Sequence, residues 1–289
     1  MSKNVALVLS AGGARGFAHI GAIKVLEQHG YTITSVAGTS MGALVGAIYA
    51  SGQLQEFEEW VSTLDVMEVL KLTDITLSSK GFVKGKKVIE KMKEIVPERS
   101  IEDLHIPYSA VATDIIRGQE KVFTEGNLFN AIRASISIPT FFQPCQIGDD
   151  FYVDGGLVNP IPINRVLRNR RDLLVVVNVN ADIPHEPIEE SKETRNDSEF
   201  LKRIRKIRSK SDRHIPENVK DEIGIFNLNN RSISIMLNQI AALTLKNYKV
   251  DIKVELSRDS YGTYDFYKAS EIISSGEKAA LMALERYAQ

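Results

Sequence analysis

The chain has 289 residues, 43% hydrophobic and 25% charged, the composition of an ordinary globular protein able to bury a sizeable core. Lys and Arg number 36 against 37 Asp and Glu, and the formal net charge of -1 argues against a global electrostatic grip on nucleic acid. One cysteine, Cys145, excludes an intramolecular disulfide and a thiolate metal cluster, and points to a reducing compartment.

The run Val5-Ala6-Leu7-Val8-Leu9 predicts a strand buried on both faces, ending at Gly12-Gly13. Lys3 before this run loosely imitates a signal peptide. The run is short, and cleavage near Ala14 would delete the glycine loop, so a mature cytoplasmic protein is expected. A helical stripe of Ile20, Ile23, Val25 and Leu26 stops near Gly30. Val36-Ala37 begins a second strand, and Gly38-Thr39-Ser40-Met41-Gly42 turns straight into a helix over 43–50. The stretch 41–50 is about half the roughly 20 residues a membrane-spanning helix needs.

Helices are predicted over 57–72, 86–96 and 128–135, and strands over 108–113, 120–124, 151–153 and 172–178. After 225 the helical pattern returns, followed by a strand over 250–256 and a closing helix over 272–287. Strand–helix alternation implies α/β layers, with parallel neighbours joined by right-handed crossovers. We divide the chain into a core over 5–168 and a C-terminal part of the same domain over 169–289. Within the latter, 187–222 is charged, poor in large apolar residues, and expected to be a mobile segment.

Three glycine-rich motifs carry chemistry. Gly38-x-Ser40-x-Gly42, between a strand and a helix, has the spacing of a nucleophile elbow; the bland alternative is a tight turn with a capping serine. Gly12-Gly13-Ala14-Arg15-Gly16 follows the first strand. It fails the dinucleotide fingerprint, because Ala11 stands at the first glycine position and no acid ends the second strand. Loops after adjacent parallel strands lie side by side, so the amides of Gly12, Gly13 and Ala14 should face Ser40 as an oxyanion hole. Arg15 either adds positive charge or braces the loop against a carboxylate. Asp154-Gly155-Gly156 follows the strand 151–153 and would present a carboxylate at the same rim.

In this order and spacing the three motifs resemble those of patatin-like phospholipases. Arg133-Ala134-Ser135, then Pro139, Phe142 and Pro144, then 154–162 (DGGLVNPIP) and 272–280 (IISSGEKAA) extend the resemblance. The glycine loop begins Ser10-Ala11-Gly12 where many relatives carry a further glycine. The resemblance implies a three-layer patatin-like fold, a mainly parallel sheet between helices. It also implies a Ser-Asp dyad, with Ser40 as nucleophile and Asp154 as proton acceptor, and phospholipid or lysophospholipid esters as substrate, cleaved through an acyl-enzyme. A free carboxylate, with a pKa of about 3.9, is a poor base for serine, so burial of Asp154 is expected.

The readings kept beside this one are a catalytically silent regulatory protein of the same fold and a triad using His185 or His214. No metal-ligand cluster is present in the sequence, and no cofactor is expected. Cys145 reads as a buried small hydrophobe, and Phe141 and Phe142 as core residues or the wall of an acyl groove. Lys202, Arg203, Arg205, Lys206, Arg208, Lys210 and Arg213 form either a solvated face or a peripheral contact with anionic lipid head groups.

Overall fold

A computed structural model of the chain describes residues 3–72, 75–78, 81–185 and 225–289. The basic run therefore lies outside the described residues, as does His214. The expected α/β architecture is present. One eight-stranded sheet has the order β10-β9-β1-β2-β5-β8-β7, with β6 also paired to β5. Its strands are β1 (Asn4–Leu9), β2 (Thr32–Thr39), β5 (Tyr108–Asp114), β6 (Gln119–Phe123), β7 (Cys145–Ile147), β8 (Asp150–Asp154), β9 (Leu173–Ala181) and β10 (Ile252–Ser257). The five strands from β10 to β5 run parallel, while β6, β7 and β8 join by antiparallel pairs. The strands β9 and β10 of the C-terminal part thus extend the sheet begun by β1 and β2. A separate antiparallel hairpin pairs β3 (Ile75–Ser78) with β4 (Gly81–Val83), two short strands the hydrophobic pattern did not signal.

Apolar alternation decides the layers. On β1, Val5, Leu7 and Leu9 face one side and Val8 the other; on β9, Val175, Val177 and Val179 oppose Leu174 and Val176. The first side carries α1 (Ala18–Gln28), α2 (Met41–Ala50), α6 (Leu128–Ser135) and α8 (Ala269–Ala288). The second is covered by Ile161, Ile163 and the inner residues of α7 (Ile225–Asn247), including Ala241 and Leu245. Both faces are apolar because both are covered, as a parallel sheet requires. The helix expected over 57–72 is two, α3 (Leu54–Ser62) and α4 (Val66–Leu72), with Asp65 accepting from the Glu68 amide at the start of the second. These helices and α5 (Lys86–Ile95) extend the apolar layer beyond the end of α2.

The closing helix α8 packs on α1 through glycines. A Cβ at Gly276 would stand 2.1 Å from the Ala18 carbonyl oxygen, and one at Gly21 would stand 2.1 Å from that of Ile273. Backbone meets backbone at this crossing, so neither neighbour can turn aside. Gly276→Ala should cost about 1–3 kcal/mol of stability, read as a lower urea midpoint, without removing any group from the rim described below.

Candidate active site

The loops after β1, β2 and β8 meet at one rim. At the end of β2, Ser40 takes φ 56° and ψ −125°, a conformation side-chain-bearing residues seldom hold. Close packing imposes it. A Cβ at Gly42 would lie 2.3 Å from the Leu9 carbonyl oxygen, and one at Gly38 would lie 2.3 Å from the Gly42 carbonyl oxygen. Only hydrogen at both positions lets α2 start this near β1, which explains the spacing of the motif. Ser40 stands at the N-cap of α2, where the helix's unpaired amides favour negative charge.

Asp154 arrives by an unexpected route. Its strand β8 runs antiparallel to β5, so its C-terminal end should point away from the rim. However, β5 projects three residues past the end of β2. Thr39 is level with Val111, and Asp154 pairs with Ala112, the next residue up. The returning strand therefore stops at the height of Ser40. The Ser40 hydroxyl donates to Asp154 Oδ2, and the Gly156 amide donates to Oδ1 at 2.8 Å. Both side chains are buried, Ser40 at 3% and Asp154 at 6% exposure. Burial lifts the Asp154 carboxyl to about 6, against the opposing pull of the Ser40 hydroxyl and the Gly156 amide.

The glycine loop lies beside this pair. Among the described residues, the amides of Gly12 and Gly13 have no hydrogen-bond acceptor. Gly13 has φ +56°, and a Cβ there would meet the Thr263 carbonyl oxygen at 2.5 Å. The donor expected at Ala14 is a correction: its amide is given to that same Thr263 oxygen at 2.9 Å. Arg15 is a brace. Its guanidinium donates to the Tyr261 and Val179 carbonyls and to Asn180 Oδ1, and Asn180 Nδ2 returns to the Ala11 carbonyl. Its partners are therefore neutral oxygens in place of the carboxylate considered from the sequence. Its burial lowers its pKa to about 10. Gly16 leaves room for the Met41 side chain, and Gly155 for the Val111 carbonyl.

Several positioning groups carried no stated role in the sequence. Ser135 accepts the Ser40 amide at 2.9 Å and donates to the Val111 carbonyl at 2.6 Å. Arg133 donates to the Ser137 hydroxyl, and the Ser137 carbonyl receives the Asp154 amide at 2.9 Å. Thr39 donates to the Asn159 carbonyl at 2.8 Å. The Arg-Ala-Ser and Asn-Pro patterns were the available signal, but the ties follow only from the folded arrangement. No histidine among the described residues bonds to Ser40 or Asp154. His185 follows β9, and His19 is buried with Nε2 against the Ser10 carbonyl at 2.9 Å. Cys145 is buried in β7, where desolvation pushes its thiol up. No cluster among the described residues could hold a metal ion.

Two cavities open at Ser40. One, of about 270 Å3, is almost wholly apolar and is walled by α2–α5, Phe141 and Phe142. The other, of about 280 Å3, is mixed, more polar than the first, and also touches Asp154, Asn180, Asn238 and Arg258. Phe141 and Phe142 thus line a cavity wall, the second of the two readings their sequence allows.

Comparison with known proteins shows the family of this chain. A family model described as patatin-like phospholipase matches residues 7–167, more than half of the chain. The chain belongs to this family. An uncharacterized NTE family protein of Mycobacterium tuberculosis is 32% identical over 335 residues, covering 99% of this chain and 92% of its own length. The human patatin-like phospholipase domain-containing protein 6 is 35% identical over 168 residues, 55% of this chain and 12% of that protein. The neuropathy target esterase sws of Drosophila persimilis is 35% identical over a similar stretch, again 12% of its own length. Among solved structures, VipD from Legionella pneumophila aligns with a TM-score of 0.48 and 13% identity, over 99% of this chain and 67% of that one. The glycine, serine and aspartate motifs of this patatin-like chain all fall within the matched segment.

The buried carboxyl has a consequence for stability. Below pH about 4, Asp154 is protonated in both states; between about 4 and 6 the folded state keeps a proton that the unfolded chain releases. Folding is therefore penalised as pH rises through this window, and by about 2–3 kcal/mol above it. Asp154→Asn should be more stable than the native protein at pH 8 by about 2 kcal/mol in urea denaturation, with the gap closing near pH 4.

Proposed function

We propose that this protein is a serine hydrolase of lipid carboxylic esters. The observation that carries this reading is the Ser40–Asp154 hydrogen bond, set where an apolar and a polar cavity meet. Family membership and the esterase and phospholipase names of its relatives support it. In this reading Ser40 Oγ attacks the ester carbonyl while Asp154 takes the hydroxyl proton. The tetrahedral oxyanion receives hydrogen bonds from Gly12 and Gly13. Its collapse breaks the ester bond, and Asp154 returns the proton to the departing alcohol. Water then attacks the acyl-enzyme and gives a proton to Asp154; collapse breaks the bond between Ser40 Oγ and the acyl carbon, Asp154 returns the proton to Ser40 Oγ, and the carboxylic acid leaves.

The raised pKa of Asp154 answers the weakness of a free carboxylate as a base. The group stays ionised at neutral pH yet is more basic than an exposed aspartate. An oxyanion donor is worth about 2.7–4 kcal/mol in comparable acyl-transfer sites, so the glycine loop should matter at least as much as the base.

Cavity chemistry favours one orientation. The apolar cavity suits the acyl chain, and the mixed one, lined by Asn180 and Asn238, suits a head group. One apolar cavity at Ser40 favours an ester with a single long chain, such as a lysophospholipid. The silent-regulator alternative is disfavoured by the intact hydrogen-bonded pair.

A fluorophosphonate probe should label the native protein once and Ser40→Ala not at all; absence of label on folded native protein would instead favour the silent reading. Hydrolysis of lysophospholipids and p-nitrophenyl esters should fall by about 10²–10⁴ in Asp154→Asn and survive His185→Ala and His214→Ala. Activity should rise with pH to a plateau above about 6, as Asp154 ionises. Val88→Trp should narrow the apolar cavity and shift preference toward shorter acyl chains.

A further inference from the structure

The helix α7 (Ile225–Asn247) carries apolar residues on two sides, packing Ala241 and Leu245 against the sheet and leaving others exposed. Its inner residues include Asn230 and Asn238, which line the polar cavity, and Leu237, whose Cδ1 would lie 2.9 Å from a Cβ at Gly156. Its outward side carries Leu228, Ile235, Met236 and Leu243, exposed by 54%, 59%, 55% and 58%. Their spacings of seven and eight residues place them on one face. With Ile233, Leu237, Ala241 and Leu245 turned inward, the outward leucines, isoleucine and methionine, set among Ser232, Gln239 and Lys246, form an apolar face uncovered among the described residues.

Charge selects the occupant. The 23 residues of α7 contain no Asp or Glu; Arg231 and Lys246 are its only charged residues, and both are exposed. Lys249 follows just past its end, also exposed. The charges of α7 and Lys249 are all cationic, and Glu120, which borders Leu243, is held by Arg165; this matches the chemistry of an anionic lipid surface, into which such a helix sinks its apolar side while its cations meet phosphate. Among the described residues, no helix is long and apolar enough to cross a membrane, so α7 would lie along the surface. The helix is also joined to the site: the Thr140 hydroxyl donates to Asn230 Oδ1 at 3.0 Å, and neighbouring Ile138 touches both cavities.

We propose that the outward face of α7 docks this protein onto anionic lipid surfaces, with the polar cavity opening beside the layer that holds its substrate. The choice of occupant rests in part on the lipid-ester reading above, whereas binding itself needs no catalysis.

The test uses the full chain carrying Ser40→Ala, so that no lipid is consumed, in sedimentation with phosphatidylcholine vesicles with and without phosphatidylglycerol. Binding should require the anionic lipid, weaken with salt, and fall about tenfold or more in Ile235→Ser/Met236→Ser. It should also fall in Arg231→Gln/Lys246→Gln. Leu281→Ser/Met282→Ser, which removes exposed apolar residues of α8, should bind as the parent does. Circular dichroism, and p-nitrophenyl butyrate hydrolysis with Ser40 restored, report whether each variant is folded. Equal binding to neutral and anionic vesicles, or unchanged binding by the Ile235/Met236 variant, would overturn the proposal. So would a lipid-free change in mass caused by that variant, which assigns the face to a second copy, or a large loss of thermal stability, which assigns it to this chain's own residues. Loss of fluorophosphonate labelling with vesicle binding intact would refute the hydrolase reading and leave the docking face standing.

Discussion

Everything at the rim depends on the close approach of α2 to β1. With hydrogen in place of side chains at Gly38 and Gly42, the chain turns from strand to helix within one residue and drives Ser40 to a positive φ. Such backbone strain costs of order 1–3 kcal/mol and persists only where surrounding contacts over-determine it. Here they do. Ser135 holds the Ser40 amide, Asn159 holds the neighbouring Thr39, and the Leu44 amide bonds to the Ser40 carbonyl. The serine is left with one free element, its hydroxyl, and that is directed at Asp154.

In the proposed mechanism, burial does the work that a histidine performs in a triad. The Asp154 carboxyl is removed from water, fixed by the Gly156 amide, and made more basic by desolvation. The same burial opposes folding above pH 6, so basicity and stability are set against one another at a single group. Rigidity follows from that conflict. Asp154 is held at its amide by Ser137, at its carbonyl by Thr113, and at both carboxylate oxygens. Arg15 serves similarly on the other side. Buried and bonded to neutral oxygens, it fastens the glycine loop to β9 and to the segment after β10.

The two cavities divide the space around Ser40 by polarity. Helices on one side of the sheet supply an apolar wall, and α7, on the other, supplies amides facing inward. Its inward side also carries Ile233, Leu237, Ala241 and Leu245, while Leu228, Ile235, Met236 and Leu243 remain exposed on the outside. The loop carrying Thr140 ties this helix to the rim.

Sequence alone determined the α/β class, most elements of the sheet and the three glycine motifs. Those features are local: apolar runs report strands buried on both faces, and a glycine marks where a side chain has no room. The helix α6 was readable to the residue, because Asn127 caps it and its apolar face is regular. The route of Asp154 was not readable, since strand direction depends on which neighbour β8 joins and on how far β5 overruns β2. Nor was the engagement of Ala14 with Thr263, a contact between segments about 250 residues apart. The break between α3 and α4 and the short strands β3, β4 and β7 also escaped, having too few residues for a period to show. Residue type and spacing thus named the groups that could meet; only long-range packing decided which amides stay free, at what height the acid stops, and which face of α7 looks outward.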